Sequence, residues 1–461
     1  MSIEPADAVD YDLEVPVLIV GGGACGLTAA LAAHDRGVGV LVVERDPVPS
    51  GSTALSSGMV PACDTAEQRA KGIEDSPALM AADIQRKAGG ETDPAVVAAL
   101  CENSGPTLAW LNESHGVAFD LIEGFLYPGH SVMRMHAPPA ITGAALIGSL
   151  TGAAEAAGID IVANALATTL YADPDGRVRG VQIVRPDGSG ERIGCGALVL
   201  ACNGYGGNPE MVRRHIPEMA EAEYFGHPGN QGDAVRWGEA LGGEARHMSA
   251  YQGHGSVAMP HRILITWALM MEGGIQVNAR GERFSNEHHG YSEQSVAVLS
   301  QPGGVAWNIY DTRLHELGRG FEDYRTADAQ GAVKTAPDAP ALAAALGLPA
   351  DVLAASIAET HETGVDRFGR DLSKSPGLEP PFFAVKVAGA LFHTQGGLRI
   401  DGRARVLKRG SDTPLPNLLA GGGAACGVSG SKVEGYLSGN GLLSAVVLGR
   451  IAGEMASELL G

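Results

Sequence analysis

The sequence predicts an α/β fold that opens on a parallel βαβ unit. Residues 15–20 form an apolar, β-branched run that stops abruptly at a glycine-rich turn, residues 21–26. The Ala-rich stretch of residues 27–36 is typical of a helix, and a second apolar run, residues 38–43, ends at Glu44. Strand, tight turn, helix and second strand in this order indicate a parallel sheet with helices on its faces.

The glycine-rich turn has the spacing of a phosphate-binding loop. Gly21, Gly23 and Gly26 fit GxGxxG, with Ala24 inside the turn. In this pattern the first glycine permits the turn, the second lets the backbone reach a pyrophosphate, and the third lets helix and strand pack closely. Glu44 follows roughly 20 residues later, where a carboxylate can accept the ribose hydroxyls of an adenosine. The first domain is therefore predicted to be Rossmann-like and to bind a dinucleotide.

Composition limits the kind of partner. The chain has 461 residues, 45% of them hydrophobic, and a net charge of −20, which favours a large core and a small-molecule partner over nucleic acid or an anionic membrane. Its six cysteines are widely spaced, so neither a disulfide scaffold nor a metal site is expected. The first fourteen residues lack the pattern of a signal peptide, and no apolar run approaches about 20 residues, so a cytoplasmic address is expected.

A polar loop of small residues, residues 49–58, occupies the place where an ordinary nicotinamide domain enters its next helix. This loop resembles the GGxT/SxxSxGG segment of the fumarate reductase and succinate dehydrogenase flavoprotein family, which lies along the flavin. The resemblance implies FAD as the cofactor. Members that attach flavin covalently have a histidine in this loop, whereas Ser52 and Thr53 stand here, so the prediction is non-covalent FAD. Arg45, Ser57 and Gly58 are assigned to the same site.

Further matches follow in the family's order along nearly the whole chain. Residues 197–208 resemble "VVLATGGFGGN", 229–233 resemble "GDG/A", 274–287 resemble "VNxxGxRFxNE", 393–398 resemble "HTxGGL", and 417–427 resemble "LYAAGExxGG". The late glycines are therefore assigned to flavin rather than to a second, NAD(P) site. By resemblance, the remaining residues that contact the cofactor are Asn203, Gly204, Asp233, Gly422, Asn440, Leu442 and Leu443.

The same resemblance implies a domain order. Residues 1–245 and 379–461 are predicted to form the FAD-binding domain, and residues 246–378 an inserted α+β domain that caps the substrate. Residues 159–163 and 177–184 are expected to be strands of a small sheet, joined through a turn at 173–176. Residues 336–358 are expected to form a pair of surface helices, and residues 442–460 the final helix.

Two positions depart from the fumarate reductase pattern. Fumarate reductases have an arginine four residues beyond the glutamate of "RFxNE" and another before "LGGN", but here Tyr291 and Tyr436 stand at these positions. Both hold tyrosine in flavin-dependent 3-ketosteroid dehydrogenases, which the site resembles more closely. The pair Tyr436 and Ser438 is most similar to that of the Δ4-type enzymes.

Tyrosine suits the oxidation of a ketone. Desaturation removes the C–H next to the carbonyl as a proton and the neighbouring C–H as hydride; an arginine is a poor base for this, whereas a phenolate can serve. Tyr291 is therefore predicted to be the base, and Tyr436 with Ser438 to polarise the carbonyl. Tyr127 is either a wall of the substrate site or a second phenol that tunes the base. His393 either binds a substrate carboxylate or hydrogen-bonds backbone near the flavin.

The predicted reaction is desaturation of a cyclic ketone, such as a 4-oxocyclohexanecarboxylate or a 3-ketosteroid. One alternative is an ene reductase of an unsaturated carboxylate, which would need an arginine such as Arg134 or Arg246 to hold the acid. A second alternative is a flavoprotein that carries electrons without substrate chemistry. The electron acceptor is not predicted.

Overall fold

The structure is a computed structural model that describes residues 1–7 and 9–461. These residues form strands and α-helices that we number in chain order. The strands are β1 (Ser2–Pro5), β2 (Leu13–Val20), β3 (Val40–Val43), β4 (Val60–Pro61), β5 (Asp120–Leu121), β6 (Met135–Ala137), β7 (Asp160–Val162), β8 (Leu166–Ala172), β9 (Val178–Val184), β10 (Gly190–Leu200), β11 (Glu223–Tyr224), β12 (Ala245–Arg246), β13 (Tyr251–Ala258), β14 (Ile263–Leu264), β15 (Ile275–Val277), β16 (Val305–Asp311), β17 (Val333–Ala336), β18 (Phe382–Thr394), β19 (Gly397–Leu398), β20 (Arg405–Leu407) and β21 (Pro414–Ala420).

The helices connect and cover these strands. They are α1 (Ala24–Asp35), α2 (Gly51–Ala54), α3 (Ala66–Ala70), α4 (Pro77–Lys87), α5 (Pro94–His115), α6 (Gly143–Ala156), α7 (Pro209–His215), α8 (Asp233–Ala240), α9 (Ala268–Met271), α10 (Tyr291–Leu299), α11 (Thr312–Gly318), α12 (Glu322–Ala329), α13 (Ala339–Leu346), α14 (Ala350–Ala358) and α15 (Asn440–Glu458). Among the described residues, no helix combines the length and apolarity needed to cross a membrane.

The predicted α/β fold is confirmed by the larger sheet. Its strands run in the order β1-β8-β9-β10-β2-β3-β7, and β21 pairs with both β10 and β20. Strand β2 lies parallel to its neighbours β10 and β3, and Val17, Leu18 and Ile19 are completely buried because helices cover both faces. Helix α15, from the far end of the chain, packs against α1.

One prediction is wrong: residues 159–163 and 177–184 form strands, but not the small sheet expected for them. The expected strands appear as β7 and β9, and the turn between β8 and β9 is confirmed, but they do not form a separate small sheet. Strand β7 pairs parallel with β3 and extends the larger sheet at its edge, while β9 joins that sheet through β10. Two short apolar segments do not encode which sheet they join, because that choice depends on partners far away in sequence.

A second sheet stands beside the site described below. It has the order β14-β13-β18-β16-β15, and β11 and β17 also pair with β18. Its long strand β18, residues 382–394, begins after the predicted insert, residues 246–378, so the sheet draws on both sides of that boundary. The expected surface helix pair is present as α13 and α14. The division into domains stays a prediction.

Candidate active site

Two adjoining cavities lie between the larger sheet, the second sheet and the start of α15. The first is lined by the β2–α1 turn, the end of β3 and the start of α8, and the second by α10, β13, β18 and the segment before α15. They share one stretch of wall, formed by Ser52, Thr53, Asn203, Gly422, Gly423 and Ala445. The shared wall makes them two ends of one elongated site.

The first cavity begins at the glycine-rich turn. Gly21 has a φ of +110°, which favours glycine, and a Cβ on Gly26 would lie 1.8 Å from the Gly21 carbonyl oxygen. Any larger residue at position 26 would separate α1 from β2. Gly23 is the N-cap of α1, so the helix begins inside the turn rather than at residue 27. The first N–H groups of α1 are therefore part of the wall.

Glu44 is already fixed in place by the backbone. Its carboxylate accepts hydrogen bonds from Gly22 N at 2.7 Å and from Asp46 N at 2.9 Å. A carboxylate has about four acceptor sites, so two remain for ligand hydroxyls. Thr53 Oγ1 accepts from Ala24 N at 3.1 Å, which ties the polar loop to the first turn of α1. Ser52 Oγ accepts from Asn230 Nδ2 at 2.9 Å.

Most of the predicted cofactor residues line the elongated site. Those that do are Gly21, Gly23, Ala24, Glu44, Arg45, Ser52, Thr53, Ser57, Asn203, Asp233, Gly422 and Leu442. Those that do not are Gly26, Gly58, Gly204, Asn440 and Leu443. Gly58 packs on Thr142 and Gly204 on Thr394, so these glycines allow close contacts rather than face the cavity.

All five predicted catalytic residues line the second cavity: Tyr127, Tyr291, His393, Tyr436 and Ser438. Gly290, with a φ of +142°, makes the turn that starts α10, so Tyr291 is the first residue of that helix. The rings of Tyr291 and Tyr436 meet edge to face with centroids 6.1 Å apart. The Tyr436 hydroxyl accepts a long hydrogen bond, 3.5 Å, from Gly441 N at the start of α15. The sequence thus brings two phenols together from positions 145 residues apart.

Burial has the largest effect on the pKa of both phenols. It raises the pKa of Tyr291 well above 10.0, and the nearby Tyr436 raises it further, whereas the side chain of Ser438 lowers it. Burial also raises the pKa of Tyr436 to about 12, against the opposing effect of Gly441 N. Both groups are therefore neutral phenols at neutral pH.

Tyr127 and His393 occupy different parts of the same wall. Tyr127 packs edge to face on Phe125, and its hydroxyl lies 2.9 Å from Met59 Sδ. His393 has Nδ1 3.2 Å from Gln395 Nε2 and 3.4 Å from the Thr394 carbonyl oxygen, and burial lowers its pKa to about 4. His393 is thus a neutral ring that both contacts the backbone and faces the cavity.

The sequence analysis missed His254. It lines the second cavity, and burial lowers its pKa to about 3. Its Nδ1 accepts from Ser256 N at 3.1 Å, which leaves the proton on Nε2. Gln252 and His254 are two residues apart on β13, so both point to one face of the sheet. That spacing was the available signal, but only the pairing of β13 with β18 shows that this face borders the cavity.

No lysine or arginine lines the second cavity in the part of the chain that the structure describes. Arg134 is completely buried elsewhere, with Nη2 2.9 Å from Asp75 Oδ1 and Nη1 2.7 Å from Asp83 Oδ2. Arg246 pairs with Glu244 at 2.8 Å on the surface. Neither arginine proposed for the ene-reductase alternative reaches the cavity.

Comparison with known proteins decides the family. A family model described as an FAD binding domain matches residues 16–442. The chain belongs to this FAD-binding family. A probable fumarate reductase from Shewanella frigidimarina (strain NCIMB 400) is 31% identical over 99% of this chain and 77% of its own length. The 4-oxocyclohexanecarboxylate 2-dehydrogenase of Sinomonas cyclohexanicum is 24% identical over 92% of both chains.

A solved structure shows the same fold with a steroid ligand. The 3-ketosteroid-Δ4-(5α)-dehydrogenase from Rhodococcus jostii RHA1, in complex with 4-androstene-3,17-dione, superposes with a TM-score of 0.77, at 26% identity over 98% of each chain. The flavoprotein is thus an FAD-dependent oxidoreductase of the fumarate reductase and succinate dehydrogenase superfamily.

The residues present fit FAD. The elongated site joins the glycine-rich turn and Glu44 to the cavity that holds the phenols. Ser444 Oγ, a buried polar atom in the wall of the second cavity, has no hydrogen-bond partner among the described residues. Buried polar atoms are normally paired, so this hydroxyl is available to a bound group.

Proposed function

We propose that this flavoprotein is a dehydrogenase that introduces an α,β double bond into a cyclic ketone, such as a 4-oxocyclohexanecarboxylate or a 3-ketosteroid. One observation carries the proposal: Tyr291 and Tyr436 face one cavity that no described lysine or arginine lines. Phenols can exchange a proton with a carbon acid, whereas a guanidinium stays charged throughout the physiological pH range. The relatives that act on a cyclic oxo acid and on a ketosteroid support the same reading.

Each catalytic residue has a separate proposed role. Tyr436, whose hydroxyl lies at the N-terminus of α15, donates a hydrogen bond to the ketone oxygen as enolate charge develops. Ser438, which the sequence analysis paired with Tyr436, is here proposed to assist Tyr291 instead, because its side chain lowers the pKa of that phenol. The phenolate of Tyr291 then takes the proton from the carbon next to the carbonyl, which leaves the electrons of that C–H bond to form the new double bond.

FAD, when bound, supplies the acceptor for the hydride that leaves the β-carbon, through its N5 atom. We expect FAD to be bound non-covalently, because residues 50–58 contain no histidine. Tyr127 and His393 complete the substrate wall. Reoxidation of FAD requires a further electron acceptor.

The second candidate is an ene reductase that acts on an unsaturated carboxylate. The 31% identity to a probable fumarate reductase favours it. It would need a cation to hold the acid and a proton donor for the product carbon. Tyr291, as a neutral phenol, can donate that proton. The described lining of the cavity contains no lysine or arginine to hold the acid.

Anaerobic mixing of the FAD-loaded protein with single compounds tests the proposal. The panel is a 3-ketosteroid, 4-oxocyclohexanecarboxylate, its carboxamide, succinate and a saturated amide without a ketone. Loss of the flavin absorbance with ring ketones, and none with succinate or the saturated amide, is the expected result. Reduction by succinate alone would falsify the proposal, and oxidation of pre-reduced protein by fumarate but not by ring enones would favour the ene reductase.

A further inference from the structure

We infer that the second cavity selects an uncharged ring ketone and that Asp323, at its edge, discriminates against substrates that carry a carboxylate. This inference rests on the proposed function and narrows its substrate class. Of the two example ketones named under the proposed function, it favours the 3-ketosteroid and disfavours 4-oxocyclohexanecarboxylate, the substrate in the name of one relative. Asp323 was not among the residues singled out from the sequence.

The cavity wall offers no positive charge to a carboxylate. Its lining within the described residues includes two histidines, His254 and His393, and no lysine or arginine. Both histidines are neutral, because burial lowers their pKa to about 3 and about 4. His254 has one N–H left for a ligand, since its Nδ1 is occupied by Ser256 N. A carboxylate would therefore meet single neutral donors in place of a cation.

The apolar part of the wall makes an unpaired charge costly. Phe225 and Phe392 stack there with centroids 4.8 Å apart, and Trp267 and Met59 also line the cavity. Moving an uncompensated carboxylate from water into such surroundings costs several kcal/mol. A ketone, an ester or an amide loses far less on the same transfer.

Asp323 adds a negative charge to the same cavity. It lies in the first turn of α12 and lines the cavity together with Phe321 and Leu264. Its side chain is exposed at the mouth of the cavity, and its carboxylate has no hydrogen bond or ion pair among the described residues. Partial desolvation, and then the nearby Glu322, raise the pKa of Asp323. No side-chain cation therefore offsets its charge at the mouth of the cavity, where solvent and the N-terminus of α12 stabilise it.

Three helix N-termini reach the cavity, those of α10, α12 and α15. The first carries Tyr291 and the second carries Asp323, so neither is left to hold a carboxylate of the substrate. The N-terminus of α15 begins beside Tyr436, where Gly441 N reaches the phenol oxygen. In the proposed function that end of the cavity receives the ketone oxygen. A carboxylate on the opposite side of the ring gains nothing from this helix, because the dipole effect falls off within about one turn.

A matched pair of substrates tests the selection. The FAD-loaded protein is assayed with 4-oxocyclohexanecarboxylate and with 4-oxocyclohexanecarboxamide, which has the same ring and ketone without the charge. We expect kcat/KM for the carboxamide to exceed that for the acid by about 100-fold or more. An acid that is oxidised as well as the carboxamide overturns the inference but leaves the desaturase standing. Oxidation of neither 4-oxocyclohexane compound, nor of a 3-ketosteroid assayed beside them, overturns both.

Two variants of one helix test the role of Asp323. Asp323→Asn removes the charge at the cavity, and Glu322→Gln removes an equal charge from the adjacent residue, which does not line it. We expect Asp323→Asn to raise the ratio of acid to carboxamide kcat/KM by about tenfold, as loss of a nearby like charge predicts. We expect Glu322→Gln to change that ratio by less than twofold. An unchanged ratio in Asp323→Asn, or equal changes in both variants, overturns the role of Asp323.

Discussion

The imidazole of His254 stacks on the phenol ring of Tyr291, with centroids 4.7 Å apart and an interplanar angle of 18°. The same imidazole stacks on Phe392 at 5.3 Å, and Ser256 N fixes its orientation through Nδ1. Trp267 meets Tyr291 edge to face at 6.5 Å. Strand β13 therefore helps to hold the proposed base through His254, so the position of Tyr291 does not depend on α10 alone.

Removal of the Tyr291 hydroxyl is expected to slow ketone oxidation without loss of FAD. A general base contributes roughly 10²–10⁴-fold, so Tyr291→Phe should slow flavin reduction by that factor in rapid mixing with a ring ketone. Tyr171→Phe is the matched control, because its hydroxyl bonds Gln182 in the larger sheet, away from the cavity. A Tyr291→Phe rate within threefold of the wild-type rate would rule out this base.

The pKa of Tyr291 predicts a rising pH profile for ketone oxidation. Burial holds this pKa well above 10.0, so the phenolate is a small fraction at neutral pH and grows about tenfold with each pH unit. The logarithm of kcat/KM should therefore rise with a slope near one between about pH 6 and pH 9. Enone reduction, which uses the neutral phenol, should be flat over the same range. A flat profile for oxidation contradicts the assignment.

Tyr436→Phe should differ from Tyr291→Phe in the shape of its pH profile. Loss of one donor to a developing oxyanion typically lowers kcat by about 10²–10³-fold. Because Tyr291 remains, the variant should keep the slope near one, whereas Tyr291→Phe should lose it. If both variants lose the slope, the two phenols share one proton and cannot be given separate roles.

Glu287 is expected to stabilise the second sheet. Its carboxylate lies completely buried, 2.9 Å from Arg283 Nη2 and 2.8 Å from Arg370 Nη1, and these charges lower its pKa from 4.5 to about 2. Glu287→Gln should therefore lower the free energy of unfolding by about 3 kcal/mol at neutral pH, which is measured as a lower Tm. Because the folded pKa is depressed, this stabilisation is present above about pH 4.5 and is lost as the pH falls towards 2.

The control for Glu287 is Glu282→Gln, which breaks an exposed pair with Arg280 and should change stability by no more than about 0.5 kcal/mol. Equal Tm values for the two variants at neutral pH would show that the buried pair does not stabilise the fold.

The close packing of the glycine-rich turn predicts that a substitution at Gly26 releases FAD. A Cβ on Gly26 would overlap the Gly21 carbonyl oxygen, so Gly26→Ala should push α1 away from β2 and lose most of the bound FAD. Gly148→Ala is the control, since a Cβ there meets no atom within 4 Å. The ratio of flavin to protein absorbance after purification measures the outcome. Full FAD retention by Gly26→Ala would contradict the proposed phosphate cradle.

Local patterns predicted that the glycine-rich turn and Glu44 lie together. The strand, the glycines and Glu44 lie within one βαβ unit, so their spacing along the chain fixes their arrangement in space. The start of α1 was placed three residues late, because Gly23 serves both as a turn residue and as the N-cap. The prediction that β7 belongs to a small sheet was wrong, because its partner β3 is more than a hundred residues away in the sequence.

The lining of the second cavity was predicted only at residues that a family motif marked. Tyr291, Tyr436 and His393 stand in recognisable segments, and all three line the cavity. His254 and Asp323 also line the cavity, but no recognisable segment marks them. Their positions depend on the pairing of β13 with β18 and on the packing of α12 on β14. Such contacts join residues far apart in sequence, so a single sequence gives no local signal for them.

The product of a single turnover tests the central proposal most directly. The FAD-loaded protein is mixed anaerobically with excess ring ketone, without any electron acceptor, and the enone is quantified by mass spectrometry against the FAD present. The account predicts one enone per FAD for the wild-type protein and almost none for Tyr291→Phe in the same interval. Absence of enone with every ring ketone, while succinate yields fumarate, would contradict it.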